Sequence, residues 1–351
     1  MVSEHPITLD CIIFGLQRFG GISNYWAKLV EYASVNPILA GSLVIPKRLT
    51  YREFDEAWMH RMPVVREALD ARIARYLKAP VAIGACVFHT SYYRVPRRRA
   101  GKYVVSAYDF TYERYRTGLA RFVHSAQKFN SIRRADAVLC ISDSTRRDII
   151  EFCPGVDTGK LHVVHLGVDR DAFFRDASNS ASEGEQAVLF VGQRGGYKRF
   201  DLAVDAVRQS PRLSLGIVGP ALTVEERSTL RQMLGARWHE HGPVGTLELR
   251  RLYSSAFAFI FPSDYEGFGL PVLEAMACGC PVVAASKSSL PEVGGSAALY
   301  AESQSGQSYA AALHALDSPA VRGQVICAGL SRIQHFSWSK TMQQTVDVYL
   351  R

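Results

Sequence analysis

"SDYEGFGLPVLEAMACGCPVVAAS", residues 263–286, sets two glutamates, Glu266 and Glu274, eight positions apart with two glycines between them. The apolar run "AFAFIF" (256–261) just before it reads as a buried strand. "PSDYEGFG" is then a loop at its carboxyl end. Pro271 suits the first turn of a helix, where its missing N–H would have had no partner. Gly279 is placed to end that helix, and "PVVAA" (281–285) is the next strand. Units of this kind bind ligands at the carboxyl ends of their strands. Gly267 and Gly269 let backbone N–H groups approach a ligand closely, and the helix points its positive end at the same place. That arrangement favours a phosphate. Glu274 lies about one turn into the helix and Glu266 on the loop. Both can accept hydrogen bonds from sugar hydroxyls. Two carboxylates would repel a bare phosphate, so the pattern suits a ligand that carries hydroxyls as well, as a nucleotide sugar does. The plainer alternative is a capped surface helix with solvated acids.

Outward from this segment, short β-branched runs alternate with helical patterns. Strands are expected at "ITLDCIIF" (7–14), "GSLVI" (41–45), "CVFH" (86–89), "KYVVSA" (102–107), "AVLCI" (137–141) and "LHVVH" (161–165), then at "AVLFVG" (187–192), "LSLGIVG" (213–219) and "AALY" (297–300). Such runs with helices between them indicate α/β parallel sheets covered on both faces. "RDASNSASEGEQ" (175–186) is small, polar and acidic, and reads as a break. Two doubly wound domains in tandem are expected, residues 1–172 and 173–337. The tail "SWSKTMQQTVDVYLR" (337–351) looks helical, with Met342, Val346 and Tyr349 on one face to be buried. It is expected to return to the first domain as a helix over 338–351.

The 351 residues are 48% hydrophobic and 21% charged, which is ordinary for a globular chain. No apolar run reaches the roughly 20 residues that span a bilayer, and no signal peptide is visible, so a cytoplasmic protein is expected. The seven cysteines include no CxxC pair and read as small buried residues. The net charge of +8 is uneven. Residues 1–172 hold 25 Lys+Arg against 17 Asp+Glu, and residues 173–351 hold 16 of each. The basic half points to an anionic partner (phospholipid, phosphorylated substrate or nucleic acid) or simply to solubility.

The segment "EGFGLPVLEAMACGCPVVAA" closely resembles the signature of the retaining GT-B glycosyltransferases of family 4, a glutamate, seven residues and a second glutamate. The resemblance implies two Rossmann-like doubly wound domains facing across a cleft, the N-terminal one for the acceptor and the C-terminal one for a nucleotide-sugar donor. It places Glu266 near the transferred sugar, Glu274 on the ribose, and the backbone of Gly267, Phe268, Gly269 and Leu270 at the donor phosphates. "FVGQRGGYKRFD" (190–201) resembles the family's diphosphate grip, here Arg194 and Lys198. Fixed cations would stabilise the departing diphosphate, so neither a metal nor a cofactor is expected. "RFGGISNYW" (18–26) resembles the Gly-rich loop of the first domain, with Gly20 and Gly21 facing the donor. "VFHTSYYRVP" (87–96) and "VVSAYDFTYERY" (104–115) resemble cleft-lining loops. Many members carry His-Asp in the second of these, where this chain has Tyr108-Asp109. Asp109 is counted with Glu266, Arg194 and Lys198 as a catalytic candidate, and His89 and Tyr108 as acceptor-facing candidates.

The resemblance is weakest over 46–85. There "PVVREALDARIARYLKAP" (63–80) reads as an amphipathic helix, with Arg66, Arg72, Arg75 and Lys78 among apolar residues. It would lie either on anionic lipid or, as a plain surface helix, in solvent. The expected function is transfer of a hexose, mannose from GDP-mannose first and a UDP-hexose second, to a glycan or lipid-linked acceptor of surface polysaccharide or lipopolysaccharide assembly. The alternatives are a nucleotide-sugar epimerase on the same fold, and a non-catalytic binder of membrane or nucleic acid. Nucleic acid is not the expected partner, because such a binder has no reason to keep an Arg, a Lys and two Glu together.

Overall fold

The structure is a computed structural model and describes residues 6–17, 20–39, 41–51, 57–175 and 186–351. The chain divides into two compact units, residues 1–166 with 338–351, and residues 167–337.

In the first unit seven strands form one parallel sheet: β1 (Ile7–Asp10), β2 (Gly41–Ile45), β3 (Val64–Arg66), β4 (Val87–Thr90), β5 (Lys102–Ala107), β6 (Ala137–Cys140) and β7 (Leu161–Val163). Their order is β3-β2-β1-β4-β5-β6-β7. β1, β4 and β6 are buried along their whole length, as strands covered on both faces must be. "ITLDCIIF" is a strand only to Asp10; Ile12–Gly15 turns into a 3-10 helix. The helix Trp338–Leu350 belongs to this unit. Its Met342, Val346 and Tyr349 are buried, and Lys102 Nζ donates to the Val348 carbonyl at 3.0 Å.

In the second unit six strands form another parallel sheet: β8 (Gln186–Val191), β9 (Leu213–Val218), β10 (Trp238–Gly242), β11 (Ala258–Phe261), β12 (Val282–Ala285) and β13 (Leu299–Ala301). The order β10-β9-β8-β11-β12-β13 reverses direction between β8 and β11. This is the dinucleotide-fold order, and ligands bind outside the carboxyl ends of strands at such a reversal. Val188, Phe190, Leu215, Ile217, Ile260 and Val283 build the core beneath it.

Three expectations need correction. The helix expected over 63–80 does not form. Val64–Arg66 instead adds an edge strand, pairing Val64 with Leu43, and only Ala71–Ala74 is helical, capped by Asp70. β-branched Val64 and Val65 favour the sheet, and Asp70 starts a new turn. Cys86 and Cys327 are exposed rather than buried. The units part at Leu166/Gly167, six residues before the expected 172/173 boundary and ahead of the 175–186 break, because the chain after Gly167 packs on the second unit. The Val168 N–H donates to the Phe336 carbonyl, the Phe173 ring lies 6.4 Å from that of Tyr253, and Arg175 covers Gly279. Residues 176–185 of the expected break lie outside the described residues.

Candidate active site

Two loops meet at the reversal of the second sheet. One follows β8 (192–199) and the other follows β11 (262–269). The Asp264 N–H donates to the Tyr197 carbonyl at 2.7 Å and ties them together. Arg199, held in the left-handed region (φ 49°), pairs with Asp201 and Asp264. Lys287 also reaches Asp264, at 2.6 Å. Burial alone would raise the Asp264 carboxyl, but Lys287 and Arg199 outweigh it and hold it below its ordinary range.

Across this junction Lys198 Nζ lies 2.6 Å from Glu266 Oε1. The pair is largely shielded, with side chains 18% and 13% exposed. The Glu266 loop is held from below by two serines. The Glu266 N–H donates to Ser288 Oγ at 2.8 Å, and Ser289 Oγ donates to the carbonyls of Glu266 and Phe268 at 2.9 and 2.8 Å. Neither serine was a candidate from the sequence.

Gly269 then turns the chain into the helix Leu270–Ala277, with Pro271 in its first turn. Its φ of 100° is one that side chains avoid, and a Cβ there would sit 2.9 Å from Leu290 Cδ2. The amino end of the helix therefore opens beside Glu266. Phe268 is buried with its ring 5.9 Å from that of Phe336, so it presents backbone rather than side chain, and Leu270 is half-buried at the helix start. Gly267, also half-buried, joins the two. Glu274 is half-buried, and its carboxyl has no hydrogen-bond partner among the described residues. Burial pushes it up to about 7. Its electrostatic neighbour Tyr253 is fully buried with a hydroxyl that has no hydrogen-bond partner among the described residues either. Next to the Arg199–Asp264–Lys287 cluster, the site thus offers the Lys198–Glu266 pair, a helix amino end and the Glu274 carboxylate, short of hydrogen-bond donors among the described residues.

Four candidates are placed differently from expectation. Arg194 does not join Lys198. Its guanidinium donates to Glu226 at 2.8 and 3.1 Å and to the carbonyls of Pro220 and Ala221 at 2.8 and 2.9 Å, and its side chain is only 7% exposed. Those hydrogen bonds hold Glu226 below the usual carboxylate range and brace the capping box that Glu226 forms with Thr223. In the first unit His89 is an interior residue of β4, between Tyr349 Oη (2.6 Å) and Ser106 Oγ (2.9 Å). Burial lowers it to about 3, so it is a neutral core residue and does not face an acceptor. Tyr108 is equally internal. It accepts from Trp26 Nε1 at 2.6 Å and donates to the Ser91 carbonyl, and burial raises its hydroxyl well above the ordinary value. The Thr111 N–H, at the start of the short helix Thr111–Tyr115, donates to Asp109 Oδ1 at 2.9 Å, and the Asp109 carbonyl accepts from Lys128 Nζ. Gly20 and Gly21 open the helix Gly21–Val35; Arg18 and Phe19 of that loop lie outside the described residues.

Residues 172–317 match the "Glycosyl transferases group 1" family and residues 46–172 match "Glycosyltransferase Family 4". Over 109 residues the chain is 42% identical to an O-antigen chain mannosyltransferase B of Escherichia coli, a match spanning 31% of this chain and 29% of that protein. It is 30% identical over 248 residues to an alpha-maltose-1-phosphate synthase of Mycolicibacterium smegmatis, spanning 62% of this chain and 64% of the synthase. The chain thus spans less than two thirds of the length of either relative. The fold is shared with the sucrose-phosphate synthase of Thermosynechococcus elongatus (TM-score 0.79, 21% identity, 99% of this chain and 98% of that one). It is also shared with WaaG, a glycosyltransferase involved in lipopolysaccharide biosynthesis (TM-score 0.74, 12% identity, 97% and 99%). With both halves matched and both sheets of GT-B type, the chain belongs to the group 1, family 4 glycosyltransferases.

Proposed function

We propose that the chain is a retaining glycosyltransferase that moves a hexose, mannose in the first instance, from a nucleotide-diphosphate sugar to a hydroxyl of a glycan or lipid-linked acceptor. The observation that carries this reading is the Lys198–Glu266 pair at the amino end of the helix Leu270–Ala277, with Glu274, unpartnered among the described residues, one turn further on. As the sugar C1–O bond to the diphosphate breaks, negative charge grows on the leaving phosphate. Lys198 and the helix end lie where that charge would be stabilised, with no resident metal in this reading. The new C1–O bond forms on the same face, and the acceptor's proton passes to the departing phosphate oxygen. Glu274 would accept from ribose hydroxyls, and Glu266, steered by Lys198, would orient the sugar. Arg194 takes the lesser role of bracing the loop that carries Lys198.

Mannose, and an assembly pathway for surface polysaccharide, are favoured by the 42% identity to an O-antigen mannosyltransferase. A related fold has been solved with UDP-glucose, which keeps a UDP-hexose as the second donor. A lipid-linked acceptor sets the enzyme at the inner face of a membrane. The test is incubation of the purified chain with labelled GDP-mannose and UDP-hexoses. Slow release of nucleoside diphosphate from one donor is expected, with loss in Lys198→Ala and Glu266→Ala. Return of an epimerised sugar nucleotide, or no consumption of any donor, contradicts the reading.

A further inference from the structure

The first unit carries a surface that its own fold leaves uncovered. The helix Gly118–Arg134 buries His124, Lys128, Ser131 and Ile132, but its first six residues, 118–123, are all exposed. Among them Leu119 is 76% and Phe122 71% exposed. Beside this helix runs the segment 71–78, which exposes Ile73 and Tyr76, each to more than half. The two are joined. Gln127 donates to the Arg75 carbonyl, the Arg75 guanidinium lies 4.2 Å over the Tyr92 ring, and Tyr92 Oη meets His124 Nε2 at 3.1 Å. Isolated exposed apolar residues are ordinary; a joined group on two neighbouring elements is not.

The two segments that build the group carry charge of one sign, with the exposed Asp70 at the edge of the first, its carboxylate accepting from the Arg72 N–H at 3.0 Å. Neither 71–78 nor 118–134 contains an acidic residue. Arg72, Lys78, Arg116 and Arg121 are exposed, and none has an ion-pair partner among the described residues. Solvent-exposed cations around Leu, Ile, Phe and Tyr side chains fit an interface that is anionic outside and apolar a few ångströms in.

We infer that this face, Ile73 and Tyr76 with Leu119 and Phe122 inside a rim of Arg72 and Arg121, docks on an anionic lipid bilayer. A second copy of the chain is disfavoured, because a self-matching contact would set arginines against arginines. Nucleic acid would use the cations and an aromatic ring, but gains nothing from exposed Leu119 and Ile73. The helix expected from sequence over 63–80 is absent, and it is the segment 71–78, helical only over Ala71–Ala74, with a different helix that builds the surface. The inference deepens the membrane setting proposed above and rests on that setting alone. It needs no donor, so its failure leaves the Lys198–Glu266 site untouched.

The test is co-sedimentation of the full chain with vesicles of phosphatidylcholine containing phosphatidylglycerol, against pure phosphatidylcholine, without nucleotide. Binding to the anionic vesicles is expected, about tenfold weaker for Leu119→Ser/Phe122→Ser and for Arg72→Glu/Arg121→Glu. Added salt should weaken binding of the wild type. These side chains are exposed, so the thermal midpoint should not move, which separates lost docking from lost folding. Equal sedimentation with and without anionic lipid, unaltered binding by both double variants, or a dimer or nucleic-acid complex lost in the same variants overturns the inference.

Discussion

Glu274→Gln changes one proton site and little volume. Its effect can be worked from the burial of the carboxyl. The side chain sits where burial moves its pKa from an ordinary 4.5 to about 7. Each pH unit of displacement corresponds to about 1.4 kcal/mol, so keeping the carboxylate ionised costs the fold at most about 3 kcal/mol above pH 7. The direction follows from proton counting. Between pH 4.5 and 7 the folded chain holds a proton that the unfolded chain has released, so stability falls as pH rises through that window and levels off above 7. Glutamine cannot ionise. Glu274→Gln should therefore lack this fall and exceed the wild type above pH 7, by up to about 3 kcal/mol or several degrees in the melting of the second unit. The same variant should lose donor affinity, since an amide is a poorer acceptor for ribose hydroxyls. Urea denaturation of both proteins at pH 5, 6, 7 and 8 measures the difference. Parallel pH profiles, or a variant less stable than the wild type at pH 8, would refute the assignment of Glu274 as a carboxylate held ready for a ligand.

Lys198→Ala should leave folding nearly intact and cost about 3 kcal/mol of transition-state stabilisation, a hundredfold or more in kcat, read by steady-state donor consumption. Arg194→Ala should do the reverse, lowering thermal stability by about 2 kcal/mol through exposure of the Glu226 cap while reducing kcat far less. Gly269→Ala must place a side chain at φ 100° and 2.9 Å from Leu290 Cδ2, and should cost about 1–3 kcal/mol in chemical denaturation. His89 is held neutral with a pKa of about 3, below its ordinary 6.5, so the unfolded chain binds the extra proton and stability drops as pH falls from 6.5. His89→Gln should flatten that acid limb in a pH series of melting curves.

Much of the frame was legible because central parallel strands are buried on both faces and so read as unbroken apolar runs, as "AVLFVG" and "AFAFIF" do. β10 was not, since "WHEHG" is a half-buried edge strand whose His-Glu-His pattern carries no apolar signal. Glu266, Gly269 and Glu274 stood out because loop, glycine and helix start are consecutive in sequence. The pairing of Arg194 with Glu226 was not legible, because the two lie 32 residues apart and only the fold brings them together. The contact of Tyr108 with Trp26, 82 residues distant, was hidden for the same reason. His89 follows three apolar residues and reads equally as strand end or loop. Its partner, Tyr349, comes from the far end of the chain.

The central claim is that the Lys198–Glu266 junction beside the helix Leu270–Ala277 holds a sugar-bearing diphosphate. Calorimetric titration of the intact chain with GDP-mannose and UDP-glucose, repeated on Lys198→Ala, tests it most directly. The account predicts saturable binding of one of these donors by the wild type and at least tenfold weaker binding by the variant. Absence of binding by either donor, or equal affinity in the two proteins, would contradict it.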